Sequence, residues 1–148
     1  MHLLRDDDTL QLITQLTASA GLALLMTVLH GVGLILIARM LRLRKERLEE
    51  KELDHEALLL VGTVGMLVFA LHTLEICVFA GFYLMVGAIG SLEEALYYSA
   101  AAYATLGRTA EYFPSDWRLV GAFEALIGFL LIGWSTAFVV STMNRLRR

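Results

Sequence analysis

Cysteine is nearly absent from this 148-residue chain, which has only Cys77. One cysteine cannot form a disulfide within the chain, so the redox compartment cannot be read from it. Outside its apolar runs the chain also shows no Ser/His/Asp set, no catalytic paired-acid site and no metal quartet. We therefore expect neither enzymatic activity nor an organic cofactor, and no nucleic-acid partner.

Apolar residues are what the chain has in excess, at 57% of the total, and the mean hydropathy is +0.65. A helix needs roughly 20 mostly apolar residues to cross a bilayer. Three runs meet that length, Thr17 to Met40, Ala57 to Ile89 and Leu119 to Met143. The sequence predicts an all-α membrane protein with transmembrane helices at 17–41, 57–89 and 118–144, surrounded by lipid.

Basic residues predict the orientation, because cytoplasmic ends of membrane helices carry an excess of Lys and Arg. They cluster in the connector 42–56 and at the C-terminus, with Arg145, Arg147 and Arg148. With three crossings these two places lie on one side only if the N-terminal tail, 1–16, lies on the other. We expect an extracytoplasmic N-terminus, a cytoplasmic C-terminus and a charged, solvated connector.

A short helix is predicted at 91–104, between the last two crossings. Gly90 ends the preceding apolar pattern, and Ser91 followed by Glu94 forms the capping box of a new helix. This helix is too short to span a membrane, but it suits a segment that enters part-way and returns. Non-helical backbone at that depth requires surrounding protein or a water-filled cavity, so the pattern indicates a pore.

The region 57–144 resembles the pore module of tetrameric potassium channels. The residues that carry the resemblance are Tyr97-Tyr98-Ser99, Thr105-Leu106-Gly107, Pro114, Trp117 and Arg118. It implies an outer helix, 57–89, a pore helix, 91–104, a filter-like loop, 105–110, and an inner helix, 118–144. It also implies a homotetramer and, as the only bound species, a monovalent ion in the pore.

The whole chain is similar to a group of small bacterial ion-channel proteins with one extra N-terminal helix. Its counterparts are His30-Gly31, Leu71-His72-Thr73-Leu74-Glu75-Ile76 and Gly133-Trp134-Ser135-Thr136-Ala137. This resemblance implies a multi-pass protein of the cell (inner) membrane. Gly128 and Gly133 have the spacing at which such channels bend their inner helix, and close helix packing is the alternative explanation for them.

Three polar residues, His30, His72 and Glu75, are predicted to lie near mid-membrane and to meet. Such a cluster could relay protons or sense pH, or it could lock the first helix onto the second by hydrogen bonds, which we favour. A metal site ranks lower because no further ligand follows at helical spacing. The first span has no repeated basic residues, so intrinsic voltage gating is not expected and any gating partner is unidentified.

The filter-like loop departs from the family in its second half. Potassium filters usually read Thr-(Val/Leu)-Gly-Tyr-Gly-Asp, whereas this chain has Thr105, Leu106, Gly107, Arg108, Thr109 and Ala110. Thr109 is β-branched where the family needs a glycine that accepts positive φ. We therefore expect altered or reduced potassium selectivity, with a non-conducting structural or regulatory protein and an anion-permeable pore as the alternatives.

Arg108 is the residue that decides between these outcomes. Four arginines facing a pore axis about 8 Å apart would repel by about 2 kcal/mol per pair at an effective dielectric near 20, which opposes cation occupancy. The alternative is that Arg108 turns outward and pairs with a carboxylate, for which Glu94, Glu111 and Glu124 are candidates. We favour Glu124, because a carboxylate within a spanning helix needs a partner.

Exchanging the two charges tests this pairing. Arg108→Glu and Glu124→Arg should each disrupt assembly by leaving a charge unpaired, and the double variant should restore it. Size-exclusion chromatography of the purified variants measures assembly. A double variant that remains as disrupted as the single variants would rule the pair out.

Overall fold

Helices form most of the described part of the chain. The computed structural model describes residues 2–45, 53–106 and 115–146, and the side chains of 7–41, 59–106 and 116–144. Within these ranges there is no strand, and the elements are α1 His2–Lys45, α2 Leu53–Met85, α3 Leu92–Tyr103, a 3-10 turn Ser115–Trp117 and α4 Arg118–Leu146. The predicted all-α class is confirmed for this part of the chain.

Three of these helices are long and apolar enough to cross a membrane, at Asp7–Leu41, Leu59–Met85 and Arg118–Asn144. This is the pattern of a multi-pass membrane protein, as the three apolar runs predicted. α1 differs in its start, because it is helical from His2 and includes most of the segment 1–16 that was expected to be a tail.

Two threonines near the start of α1 bond to the backbone of their own helix. The Thr14 hydroxyl donates to the Leu10 carbonyl and the Thr17 hydroxyl to the Ile13 carbonyl, each at 2.9 Å. These bonds return the polar side chains to the backbone of their own helix. Thr14 and Thr17, which lower the hydropathy of this segment, therefore lie within a continuous helix with their hydroxyl groups bonded.

α2 ends at Met85, four residues before the predicted end at 89. Gly87 has a φ of 68°, and its N–H donates to the Leu84 carbonyl at 3.1 Å. The Ala88 N–H donates to the Tyr83 carbonyl at 2.9 Å, which completes a Schellman motif. The helix therefore stops at Gly87 and not at Gly90, because a residue without Cβ takes the left-handed conformation at little cost.

α3 begins as its capping signal predicted. Ser91 is the N-cap, and its hydroxyl accepts the Glu94 N–H at 3.2 Å. The helix ends at Tyr103 with Ala104 as its C-cap, so the predicted range 91–104 corresponds to the helix with both caps.

A second Schellman motif ends α3. The Leu106 N–H donates to the Ala101 carbonyl and the Thr105 N–H to the Ala102 carbonyl, both at 2.9 Å. Thr105 takes the left-handed position with a φ of 59°. A β-branched residue rarely adopts this conformation, so the first residue of the filter-like loop is under backbone strain.

α1 and α4 lie side by side and run in the same direction. Gln15 Oε1 accepts the Leu119 N–H at 2.9 Å, one of the donors left unpaired at the start of α4. Further along both helices, His30 Nε2 lies 3.3 Å from Ser135 Oγ. α2 runs in the opposite direction, since Phe82 near its end packs edge-on against Trp117 just before α4, with ring centroids 5.4 Å apart.

The backbone of α3 comes close to that of α4 at Gly128. A Cβ at Gly128 would overlap the backbone and ring of Tyr103, whereas a Cβ at Gly133 would meet nothing within 4 Å. Both glycines lie within the continuous helix α4. Close packing therefore accounts for Gly128, and no contact in the described structure accounts for Gly133.

Alanine at these two glycines should have opposite effects. Gly128→Ala forces α3 and α4 apart and should lower the free energy of unfolding by about 1–3 kcal/mol. Gly133→Ala is the matched control and should be neutral or stabilising by up to about 1 kcal/mol, because alanine favours helix. Reversible unfolding in mixed micelles, followed by circular dichroism, measures both. Equal effects at the two positions would contradict the packing role of Gly128.

Candidate functional site

Two clusters of buried polar side chains hold α3 between α2 and α4. The histidine cluster consists of His30 from α1, His72 and Glu75 from α2, Tyr103 from α3 and Ser135 from α4. The Glu124 cluster consists of Tyr83 from α2, Ser99 from α3 and Glu124 from α4. Of these eight side chains only His72 has substantial exposure, at 16%.

Glu75 is the centre of the histidine cluster. His30 Nδ1 lies 2.8 Å from its Oε1, and His72 Nδ1 lies 3.0 Å from its Oε2. The Tyr103 hydroxyl donates to Oε2 at 2.5 Å and lies 2.8 Å from His72 Nδ1. Side chains of three helices thus converge on one carboxyl group. The sequence predicted the cluster of His30, His72 and Glu75, but not the contribution of Tyr103.

The aromatic rings of this cluster also pack on one another. The ring centroids of His30 and His72 are 5.4 Å apart, and those of His72 and Tyr103 are 5.7 Å apart. The ring centroid of Trp134 in α4 lies 5.6 Å from that of His30. Through His30, α1 therefore contacts both α2 and α4.

The Glu124 cluster pairs a second buried carboxyl group with two hydroxyl groups. The Tyr83 hydroxyl donates to Oε2 at 2.6 Å, and Ser99 Oγ lies 2.5 Å from Oε1. Ser99 Oγ also lies 3.0 Å from the Ile76 carbonyl oxygen of α2. Ser99 consequently connects α3 to both neighbouring helices.

Hydrogen-bond satisfaction makes these clusters compatible with a membrane interior. Ionisable groups at such depth are costly unless they are paired. Among the described side chains, no buried nitrogen or oxygen atom lacks a hydrogen-bond partner. The clusters therefore tie the helices together with directional contacts that lipid cannot replace.

The filter-like loop is described only at its start. Thr105 and Leu106 directly follow the C-cap of α3 and are exposed. Gly107, Arg108, Thr109 and Ala110 lie outside the described residues.

The three carboxylates suggested for Arg108 differ in their surroundings. Glu111 also lies outside the described residues, and Glu94 is exposed in the first turn of α3. Glu124 is fully buried, with hydroxyl groups against both of its oxygens. The pairing of Arg108 with Glu124 therefore remains a prediction.

Sequence reasoning missed four members of the clusters, namely Tyr83, Ser99, Tyr103 and Ser135. A signal for two of them was present, because Ser99 and Tyr103 are spaced i, i+4 and lie on one helix face. The buried residues of α3, Ala95, Ser99, Ala101, Ala102 and Tyr103, follow that face. A helix face made mostly of alanines, with the hydroxyl groups of Ser99 and Tyr103 among them, indicates that the helix packs on polar side chains.

Comparison with known proteins returned no relatives. No protein-family model, no curated protein and no solved structure matches the chain. The functional assignment therefore rests on sequence motifs and on the geometry of the site.

Removing either hydroxyl group from the Glu124 cluster should destabilise the protein. Ser99→Ala or Tyr83→Phe leaves one Glu124 oxygen without its partner, at a cost of about 1–3 kcal/mol. Thr136→Val is the control, because the Thr136 hydroxyl is exposed and donates only to the Ile132 carbonyl of its own helix. The micelle unfolding assay compares them. If Ser99→Ala costs no more than Thr136→Val, the cluster does not stabilise the fold.

Proposed function

We propose that the chain is the subunit of a homotetrameric pore-loop ion channel with potassium-channel-like architecture and altered or reduced potassium selectivity. The observation that carries this proposal is the depth at which Tyr103, the last residue of α3, contacts the two neighbouring helices. Tyr103 bonds to Glu75 of α2 and packs on Gly128 of α4. Both contacts are far from the helix ends that α3 connects.

The depth follows from helix geometry. Glu75 precedes the end of α2 at Met85 by ten residues, and Gly128 follows the start of α4 at Arg118 by ten residues. At a rise of about 1.5 Å per residue, each lies about 15 Å from its helix end, or half of a hydrocarbon layer about 30 Å thick. The contact of Phe82 with Trp117 supports a common level for those two ends.

α3 therefore descends to mid-membrane and goes no further. Its 12 residues give a length of about 18 Å, too short to cross. The chain after Leu106 has to regain the level of Arg118, where α4 begins. A half-helix followed by a return to the same side is the arrangement that pore loops have in the family.

The end of α3 also supports assembly around an axis. Thr105 and Leu106 are exposed in the single chain at mid-membrane level. Irregular backbone at this depth is stable only against protein or a water-filled cavity. One loop cannot enclose such a cavity, and four copies follow from the resemblance to tetrameric channels.

The orientation of the helices across the membrane also supports the proposed channel. α1 and α4 run in parallel, so their C-terminal ends, which lead into the two basic clusters of the sequence, lie on one side. By the charge bias of membrane proteins this side is cytoplasmic in a cell membrane. α3 then enters from the outside, and its C-terminal end directs partial negative charge towards the centre of the membrane, which favours a cation there.

Ion flux through liposomes tests the proposal. Purified protein should conduct monovalent ions, with little preference for potassium over sodium because Arg108, Thr109 and Ala110 replace the outer half of the filter. A flux assay with potassium, sodium and chloride gradients measures this. Strong potassium preference would overturn the altered selectivity, chloride flux would indicate an anion-permeable pore, and silence for all ions would favour a non-conducting scaffold.

A loop variant serves as the companion to this assay. Arg108→Tyr, Thr109→Gly and Ala110→Asp together restore the family pattern. The triple variant should conduct potassium in preference to sodium if the rest of the module is intact. A triple variant that assembles as the unmodified chain does and stays silent would contradict the proposed architecture.

A further inference from the structure

We propose that His30, His72, Glu75 and Tyr103 bind a divalent transition-metal ion of the Zn²⁺ type within the helix bundle. This inference is independent of ion conduction, because it concerns only how the helices are held together. In the sequence alone, a metal site is less favoured than a proton relay or a structural lock, because no further ligand follows at helical spacing. Tyr103 of α3 supplies that missing oxygen from a distant part of the chain.

The donor atoms are close enough to share one ion. His30 Nδ1, His72 Nδ1 and a Glu75 carboxylate oxygen all lie within 4.8 Å of one another. The Tyr103 hydroxyl lies 2.8 Å from His72 Nδ1 and 2.5 Å from Glu75 Oε2. Tetrahedral Zn²⁺ with bonds of about 2.0–2.2 Å separates its donors by roughly 3.3–3.6 Å, so the hydrogen-bonded pairs have to move apart by about 1 Å or less.

The orientation of the two imidazoles favours a metal. Both present the same nitrogen, Nδ1, to one carboxylate although they come from different helices. The other nitrogen of His30, Nε2, lies 3.3 Å from Ser135 Oγ. Histidines that bind metals characteristically donate their second N–H to an oxygen in this way, which fixes the tautomer and the ring.

Charge balance supports a divalent ion. Metal ligands bind in their deprotonated forms, so the Glu75 carboxylate and a Tyr103 phenolate would together offset a charge of +2, with the phenol proton released to solvent. His30 and Glu75 have no exposed surface and Tyr103 has 2%. A neutral assembly avoids the cost of isolated charge at such a site.

The donor set selects the class of metal and its role. Imidazole nitrogens suit zinc and its transition-metal neighbours, whereas Mg²⁺ and Ca²⁺ prefer oxygen ligands alone. Four protein donors complete a tetrahedral shell with no place for substrate, which is typical of structural zinc sites. The ion would join α1, α2 and α3 at one point.

Elemental analysis tests the site directly. The full chain, produced without a polyhistidine tag in medium containing Zn²⁺ and purified in detergent, should contain about one zinc ion per chain. His72→Gln should lower the zinc content by roughly tenfold or more. Glu124→Gln is the matched control, since it changes the other buried carboxyl group of a spanning helix, and it should retain the zinc.

Cobalt gives a second readout on the unmodified chain, so the test does not depend on the folding of His72→Gln. Protein refolded with Co²⁺ should show the intense visible bands of a four-coordinate ion with nitrogen and oxygen donors. The proposal is overturned if the unmodified chain holds neither zinc nor such cobalt. Equal zinc in the unmodified chain and in folded His72→Gln would overturn it as well.

Discussion

The bond between the Tyr103 hydroxyl and Glu75 is the contact on which the rest of the site depends. It joins the last residue of α3 to the middle of α2 through two side chains that are almost fully buried. The absence of a side chain at Gly128 lets α4 pack against Tyr103, because a Cβ at Gly128 would overlap Tyr103. The contact of Tyr103 with Glu75 and the absence of a side chain at Gly128 therefore both fix where α3 ends between α2 and α4.

The same carboxyl group couples α1 to α3. Glu75 accepts from Tyr103 through one oxygen and contacts His30 through the other. A displacement of α1 would remove a partner from Glu75 and so change the hydrogen bonds that hold the end of α3. α1 is thus part of the support of α3, and His30 also links α1 to α4 through Ser135.

The sequence predicts the fold well where the signal is local and poorly where it depends on helix rotation. Run lengths predict three spans, and Ser91 with Glu94 predicts the start of α3. Depth alone suggests that His30, His72 and Glu75 meet. The partners Tyr83 and Ser135 depend on which face each helix turns to its neighbour, and hydropathy that is high all round a helix carries no such information. In the sequence, Gly87 and Gly90 are equally good candidates for the end of α2. The positive φ of Gly87 shows that the helix ends there.

The anchoring of α3 and the chemistry of the loop are separable. The described anchoring residues on α3, Ser99 and Tyr103, precede Thr105, and their partners Glu75 and Glu124 lie on other helices. The loop residues that differ from the filter pattern which the loop resembles, Arg108, Thr109 and Ala110, come later in the chain. The described side-chain hydrogen bonds that hold α3 involve no residue after Tyr103. Under the proposed channel function, changes at Thr109 and Ala110 would therefore act on ion selectivity, whereas changes at Ser99 and Tyr103 would act on the position of α3.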